Sequence, residues 1–281
     1  PAEILVEGDR AVGVETKAGD RLIARHFVAS ALNPQQTFLE LIAPEALPKA
    51  WRDKAAAFRY NILAPLFGLY LELDEAPAYR AAETYPHLNQ AFMTIMGLAG
   101  PADFDAMIHH HEAGSMPPTI MWGSTPSLFD PSQAPAGKHT AFMWEKLPYA
   151  VGGDPRQWDQ IKEEHGRKVL SAWSEHAPNV QDVLLDSFVR SPLDVERNLC
   201  NMRGGDLLVG AFSGDQVGYH RPFAGAGGYR GHLKGLYLCG SSSHPGGNIT
   251  GLPGYNCAQV LLADLQIDSP WAAGSLHDRL P

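Results

Sequence analysis

Several features that define large protein classes are scarce or missing in this 281-residue sequence. It has only three cysteines, Cys200, Cys239 and Cys257, far apart and without a CxxC pair, so neither a redox dithiol nor a structural zinc site is expected. So little cysteine suits a reducing compartment, and a cytoplasmic location is the expectation. Basic residues are outnumbered, 22 against 31 acidic, giving a formal charge of -9 with no basic stripe. Phosphate contacts need clustered cations, which argues against nucleic-acid binding. The longest apolar stretch, residues 62–71, is broken by Pro65 and followed by Glu72 and Asp74, well short of the ~20 residues of a spanning helix. No GxGxxG and no phosphate-loop pattern ending in Gly-Lys-Ser/Thr occurs, so neither a self-sufficient dinucleotide binder nor a nucleotide hydrolase is supported. Position 1 is Pro, no signal-peptide pattern follows, and residues 1–6 already read as the start of a strand. The chain is therefore expected to begin inside a longer protein.

What is present is ordinary globular material: 44% apolar and 19% charged residues, enough for one large domain or two modest ones. Residues 4–6, 11–15 and 22–28 are β-rich runs separated by Gly8-Asp9 and Gly19-Asp20, which predicts a meander of three strands. Short helices are predicted over 36–42 and 44–58, and alternation of Phe67, Leu69, Leu71 and Leu73 predicts a strand over 62–73. Residues 77–137, rich in Pro, Gly, Ser and His, have weak periodicity; strands are expected only over 119–122 and, beyond that stretch, 140–146. Asp154, Pro155 and Gln157 read as a capping box opening a helix with Trp158, Ile161, His165, Val169 and Trp173 on one face, ending at Ala177-Pro178. Residues 180–189 read as a short helix or strand, and 206–209 and 236–239 as strands.

The chemistry is concentrated near the end of the chain. The run Leu236 to Cys239 is followed by Gly240, Gly246, Gly247, Gly251 and Gly254, after which an apolar helix begins near Pro253. Glycines let a backbone approach a flat or anionic ligand, and the helix start at Gly254-Tyr255-Asn256 offers N–H groups with partial positive charge. Such a strand, loop and helix suits the pyrimidine edge of a flavin, where negative charge develops on reduction. Spacing alone also allows a phosphate, a sugar or a plain structural turn.

Leu236-Tyr237-Leu238-Cys239-Gly240-Ser241-Ser242-Ser243-His244-Pro245-Gly246-Gly247, followed by Gly251-Leu252-Pro253-Gly254-Tyr255-Asn256, resembles the C-terminal flavin motif of phytoene-desaturase-like oxidoreductases. This is the carotenoid and retinoid oxidoreductase family within the amine oxidase superfamily. Ser191 to Arg197, Ser213 to Gln216 and Arg221-Pro222 are similar to further blocks of that family, in the same order. The resemblance is nearer to the pyridine nucleotide-disulphide oxidoreductase domain-containing subgroup than to the dedicated carotenoid desaturases. It implies FAD as cofactor, with Gly240 and Ser241 near its ribityl and pyrophosphate portion. His244, Pro245, Gly246, Gly247 and Asn248 would lie along the isoalloxazine, and Gly254, Tyr255 and Asn256 at its pyrimidine end. Asn248 stands where the family often has glycine, and Gly214 where it has a bulkier residue.

The expected fold class is α+β, the C-terminal part of a two-domain FAD-binding oxidoreductase. FAD-domain segments are expected at 1–35 and 205–281, with a substrate domain over 36–204 built on a mixed or antiparallel sheet. The implied activity is hydride removal from a largely apolar small molecule, desaturase- or dehydrogenase-like, for which a peripheral membrane contact is conceivable. The adenosine end of FAD is gripped by a glycine-rich turn that this sequence lacks, so an N-terminal dinucleotide-binding segment is the implied partner and the chain alone is expected to be inactive. The alternative is a cofactor-free interaction or dimerisation module derived from a flavoprotein. His220 and His244 are weak candidates for proton transfer or substrate orientation, with structural hydrogen bonding the competing role. His109, His110 and His111 with Glu112 are read as an exposed polar loop rather than a metal site. Ser241 to Ser243 with His244 lack the acidic orienter of a serine hydrolase.

Overall fold

The computed structural model describes residues 1–269. Its strands are β1 (Glu3–Glu7), β2 (Arg10–Glu15), β3 (Arg21–Ile23), β4 (Val28–Ser30), β5 (Leu66–Leu73), β6 (Thr94–Met96), β7 (Met121–Ser124), β8 (His139–Lys146), β9 (Leu184–Arg190) and β10 (Leu236–Leu238). The α-helices are α1 (Lys49–Ala56), α2 (Ala102–Ala113), α3 (Trp158–His176), α4 (Pro192–Asn198) and α5 (Leu252–Asp264). None is long and apolar enough to cross a membrane. The chain forms two compact units, one from residues 1–61 together with 208 onward, the other from 62–207.

In the first unit, β1, β2 and β3 make the antiparallel meander. Residues 22–28, predicted as one strand, are divided: β3 pairs with β2, whereas β4 pairs in parallel with β10, and one straight strand cannot serve both neighbours. Residues 36–61, read from sequence as part of the inserted domain, pack with the two terminal segments. The reason is a shared core, in which Phe38 meets Trp51 and Phe223 edge-on at 5.5 and 6.0 Å, beside Ile4, Val28 and Leu236. Gln36–Glu40 is a π-helical turn, and 44–58 is a short 3-10 turn followed by α1, with Pro48 as its N-cap because its missing N–H is no loss there.

The second unit is an antiparallel sheet in the order β6-β7-β8-β5-β9. Period-2 alternation sends Phe67, Leu69, Leu71 and Leu73 of β5 and Met143 of β8 to one face, which α3 covers with Trp158, Val169 and Trp173. Gly166 allows α3 to sit close, since a Cβ there would lie 2.4 Å from Val189. Glu145 is the polar exception on this face, fully buried and bonded by its Oε2 to His165 Nε2 of α3 at 2.5 Å.

Three sequence expectations need correction. Asp154 caps only a 3-10 turn, Pro155–Gln157, by accepting from Arg156 N; the capping box is instead Ser191 with Asp194, opening α4. Residues 206–209 form no strand, because the carbonyls of Leu208 and Val209 serve a buried guanidinium rather than a neighbouring strand. His109, His110 and His111 lie on α2, not in a loop, and His111 is buried.

Candidate functional site

The loop between β10 and α5 starts where two parallel strands end. Cys239 N donates to Ser30 O at 2.9 Å, and Gly240 then passes so near β4 that a Cβ would lie 2.0 Å from Ala31 O. Only glycine fits there without moving backbone. Ser243 N donates back to Gly240 O at 2.9 Å, which closes the turn.

The first half of the loop is fixed from beneath by Arg221. Its side chain is wholly buried and its guanidinium donates to the carbonyls of Val209 (3.2 Å), Ala211 (3.2 Å), Gln216 (3.3 Å) and Ser241 (3.0 Å), among others. The charge is thus spread over backbone dipoles. Phe212 stacks over the guanidinium at 4.4 Å, and its ring also fills the space a Cβ on Gly246 would need, 2.6 Å away. Tyr229 Oη donates to the carbonyl of His244 at 3.0 Å and accepts from Asn256 Nδ2 at 2.9 Å, linking the loop to the first turn of α5. The buried hydroxyl of Ser243 has no partner among the described residues.

Beyond Gly247 the loop opens. Asn248 and Ile249 both adopt left-handed backbone, φ +85° and +59°, and Ile249 is fully exposed. A β-branched residue in that region is strained, and its side chain faces solvent. Gly251 caps α5 at φ +69°, and nothing lies within 4 Å of where its Cβ would be; beside Gly254 the nearest atom is Cys239 O at 3.9 Å. Leu252 and Tyr255 are exposed on the first turn. The far end of α5 is tied to β10, with Asp264 accepting from Tyr237 Oη at 2.8 Å and from both Arg230 nitrogens at 2.6 and 2.7 Å. Arg230 beside Asp264 holds that carboxyl below its ordinary range against the opposing effect of burial. Cys257, on the buried side of α5, has its thiol pushed up to about 12, first by burial and then by neighbouring Cys239. It is a packing residue, not a nucleophile.

The ten residues named from sequence therefore fall into two sets. Gly240, Ser241, His244, Pro245, Gly246, Gly247 and Asn256 are built into the loop's own packing and hydrogen bonding. Asn248, Gly254 and Tyr255 line its open side. For a flat ring the fit is good along 248–255, with two uncrowded glycines, exposed apolar side chains and a helix start, while the space next to Gly246 belongs to Phe212. His220 is exposed on a 3-10 turn and His244 is half-buried; neither imidazole hydrogen-bonds to another described residue. On α2 the Nδ1–H of His109 and of His111 donate to carbonyls one turn back, and no metal-binding cluster of His, Cys, Asp or Glu exists among the described residues. Sequence reasoning missed Arg221, Phe212 and Tyr229 as organisers of the loop. The Arg221-Pro222 block carried the signal, without the role.

The second unit has a feature that strand pairing alone reveals. Opposite the α3-covered face, Phe142, Tyr70 and Phe188 lie abreast on β8, β5 and β9, and Trp122 and Trp144 abreast on β7 and β8. Tyr70 stacks on Phe188 at 4.6 Å, and Phe142 lies 4.3 Å from Trp144. Gly68 makes room for the Tyr70 ring, 2.7 Å from where a Cβ would be, so that Tyr70 Oη accepts from Trp144 Nε1 at 3.2 Å. A cavity of about 310 Å³ lies against this face, lined by Tyr70, Phe142 and Phe188 and bordered by Glu72 and Asp186.

The fold matches part of two larger solved structures. It superposes on an oxidoreductase from Methanosarcina mazei with a TM-score of 0.53 at 16% identity, over 94% of this chain and 48% of that one. Cyclohexylamine oxidase from Brevibacterium oxydans gives 0.52 at 12% identity, over 88% and 44%. By sequence the chain is similar to several curated oxidoreductases. It is 31% identical to rat pyridine nucleotide-disulfide oxidoreductase domain-containing protein 2, over 92% of this chain and 45% of that protein. A limonene dehydrogenase polypeptide of Castellaniella defragrans is 27% identical (95% and 51%), and the lycopene-forming phytoene desaturase of Pseudescherichia vulneris 24% (95% and 50%). The chain spans about half the length of these curated relatives, and no family model matches it.

Proposed function

We propose that this chain is the C-terminal, isoalloxazine-side portion of an FAD-dependent oxidoreductase that removes hydride from a largely apolar small molecule. The observation that carries the reading is the open side of the β10–α5 loop, where Gly251 and Gly254 leave room for a ring beside a helix start. FAD, when bound, supplies the two-electron acceptor. The chain's own contribution is positional and electrostatic. Arg221 and Tyr229 hold the loop rigid, and the first turn of α5 presents partial positive charge, worth about 0.3–2 kcal/mol to an anionic edge placed there. In the second unit the aromatic sheet face offers an apolar wall of the kind a hydrocarbon-like substrate needs. Dehydrogenation or desaturation, the reactions named in a limonene dehydrogenase and a phytoene desaturase among the relatives, is one chemistry this arrangement suits.

Because nothing in the sequence matches the ADP-gripping turn, the chain alone is expected to bind flavin weakly and to have no turnover. Titrating the purified chain into FMN tests this through flavin fluorescence. Weak quenching that ADP does not relieve, with FAD no tighter than FMN, is the expected result. Displacement by ADP, or no quenching by either flavin, refutes the reading. The competing reading, a cofactor-free interaction module, draws support from Phe212, which gives Gly246 a purely structural reason to be glycine. It predicts that the chain binds no flavin and self-associates unchanged when Gly247 is replaced by Ala.

A further inference from the structure

Lys146 is the last residue of β8 and projects from the aromatic face of the second unit, two residues on from Trp144. It is half-buried, and its Nζ lies 5.6 Å above the ring of Trp122. Among the described residues no carboxylate or carbonyl lies within hydrogen-bond reach of that ammonium. Burial pulls the pKa of Lys146 down, and Asp206, wholly buried, opposes this only through space. An ammonium taken partly out of water without an acceptor is costly, and the ring of Trp122 repays only part of that cost. Arg190 of β9, exposed, stands abreast of Trp144 across Gly68, which adds a second cation to this end of the face. At the other end Glu72 and Asp186 face each other across β5 and β9. The face is therefore polar in a directed way: cations at one end, aromatic rings in the middle, carboxylates at the other. From Lys146 to Thr140, abreast of Glu72, six residues of strand span roughly 20 Å, with the rings occupying the middle half.

We infer that this face binds an amphipathic molecule whose apolar body lies on Trp144, Phe142 and Tyr70 and whose anionic or strongly hydrogen-bond-accepting head meets Lys146. This deepens the proposed function by giving its apolar substrate one oxygen-bearing end. A charge-assisted hydrogen bond in such a half-buried site should be worth about a tenfold difference in affinity.

The test is isothermal titration of the full chain with three probes of equal chain length, dodecanoate and dodecyltrimethylammonium below their micelle concentrations and 1-dodecanol below its solubility limit. Dodecanoate should bind about tenfold more tightly than dodecanol, and the ammonium least. Lys146→Gln should erase the difference between acid and alcohol, Lys146→Arg should keep most of it, and thermal melts should show all three proteins folded. Equal binding of acid and alcohol, a preference that survives Lys146→Gln, or no binding of any probe overturns the inference. Neither flavin nor turnover enters this titration, so its failure is separable from failure of the flavin reading.

Discussion

The two units place their chemistry in different parts of the chain's structure. In the first, the loop after β10 is shaped by backbone: Gly240 packed on Ala31, a guanidinium spread over carbonyls, residues in left-handed conformations, and a helix start. In the second, it is shaped by side chains aligned through register, with Trp122, Trp144, Phe142, Tyr70 and Phe188 brought abreast by four strands far apart in sequence. Backbone sites are sensitive to single atoms added at glycine. Register sites tolerate local change and fail when a strand slips or a ring loses its resting place.

The contrast is sharpest at Arg221. Arg221→Met should cost about 3–5 kcal/mol in urea unfolding, since it removes the shared donor of several buried and half-buried carbonyls. A cost below about 1 kcal/mol would show that the carbonyls find other donors, and that the loop is not built on this residue. Gly240→Ala comes next, at about 3 kcal/mol, because the clash is with backbone and no rotamer relieves it. Gly68→Ala is the matching probe of the second unit. The atoms nearest its added methyl belong to the Tyr70 ring, which can swing, so about 1–2 kcal/mol is expected, with loss of the Tyr70–Trp144 hydrogen bond visible in near-ultraviolet circular dichroism. If Gly68→Ala costs as much as Gly240→Ala, the distinction between the two kinds of site fails.

Smaller effects follow from titratable groups. The folded-state pKa of Asp264 lies below its unfolded value near 3.9, so its contribution is present above that pH and is lost as pH falls through the folded value. Asp264→Asn should therefore destabilise by roughly 0.5–1 kcal/mol at neutral pH, limited by solvent screening, and by less at pH 2. Unfolding midpoints at the two pH values check it. Least perturbing is alkylation: exposed Cys200 should react with iodoacetamide at pH 8, while Cys257, with its thiol near 12, reacts only after unfolding.

The glycines and the apolar run at 236–239 made the backbone site legible as a motif, and alternation in 67–73 revealed the central strand of the second unit. The resemblance carried by 236–256 agrees with the homologues found. What stayed hidden has physical causes. The aromatic face depends on pairing between strands at 70, 122, 142 and 188, and β6 and α2 lie in a stretch whose periodicity is swamped by Pro and Gly. The role of Arg221 requires knowing that several carbonyls converge, and carbonyls leave no trace in a sequence. Residues 22–28 looked like one strand because β-propensity is blind to which neighbour each half will choose.

The central claim is that the open side of the β10–α5 loop receives the isoalloxazine ring. Hydrogen exchange of the chain with and without saturating FMN tests it most directly. Protection confined to residues 248–256 and the first turn of α5, with the second unit unchanged, is the predicted pattern. Unchanged exchange across 248–256 while FMN is bound would contradict it.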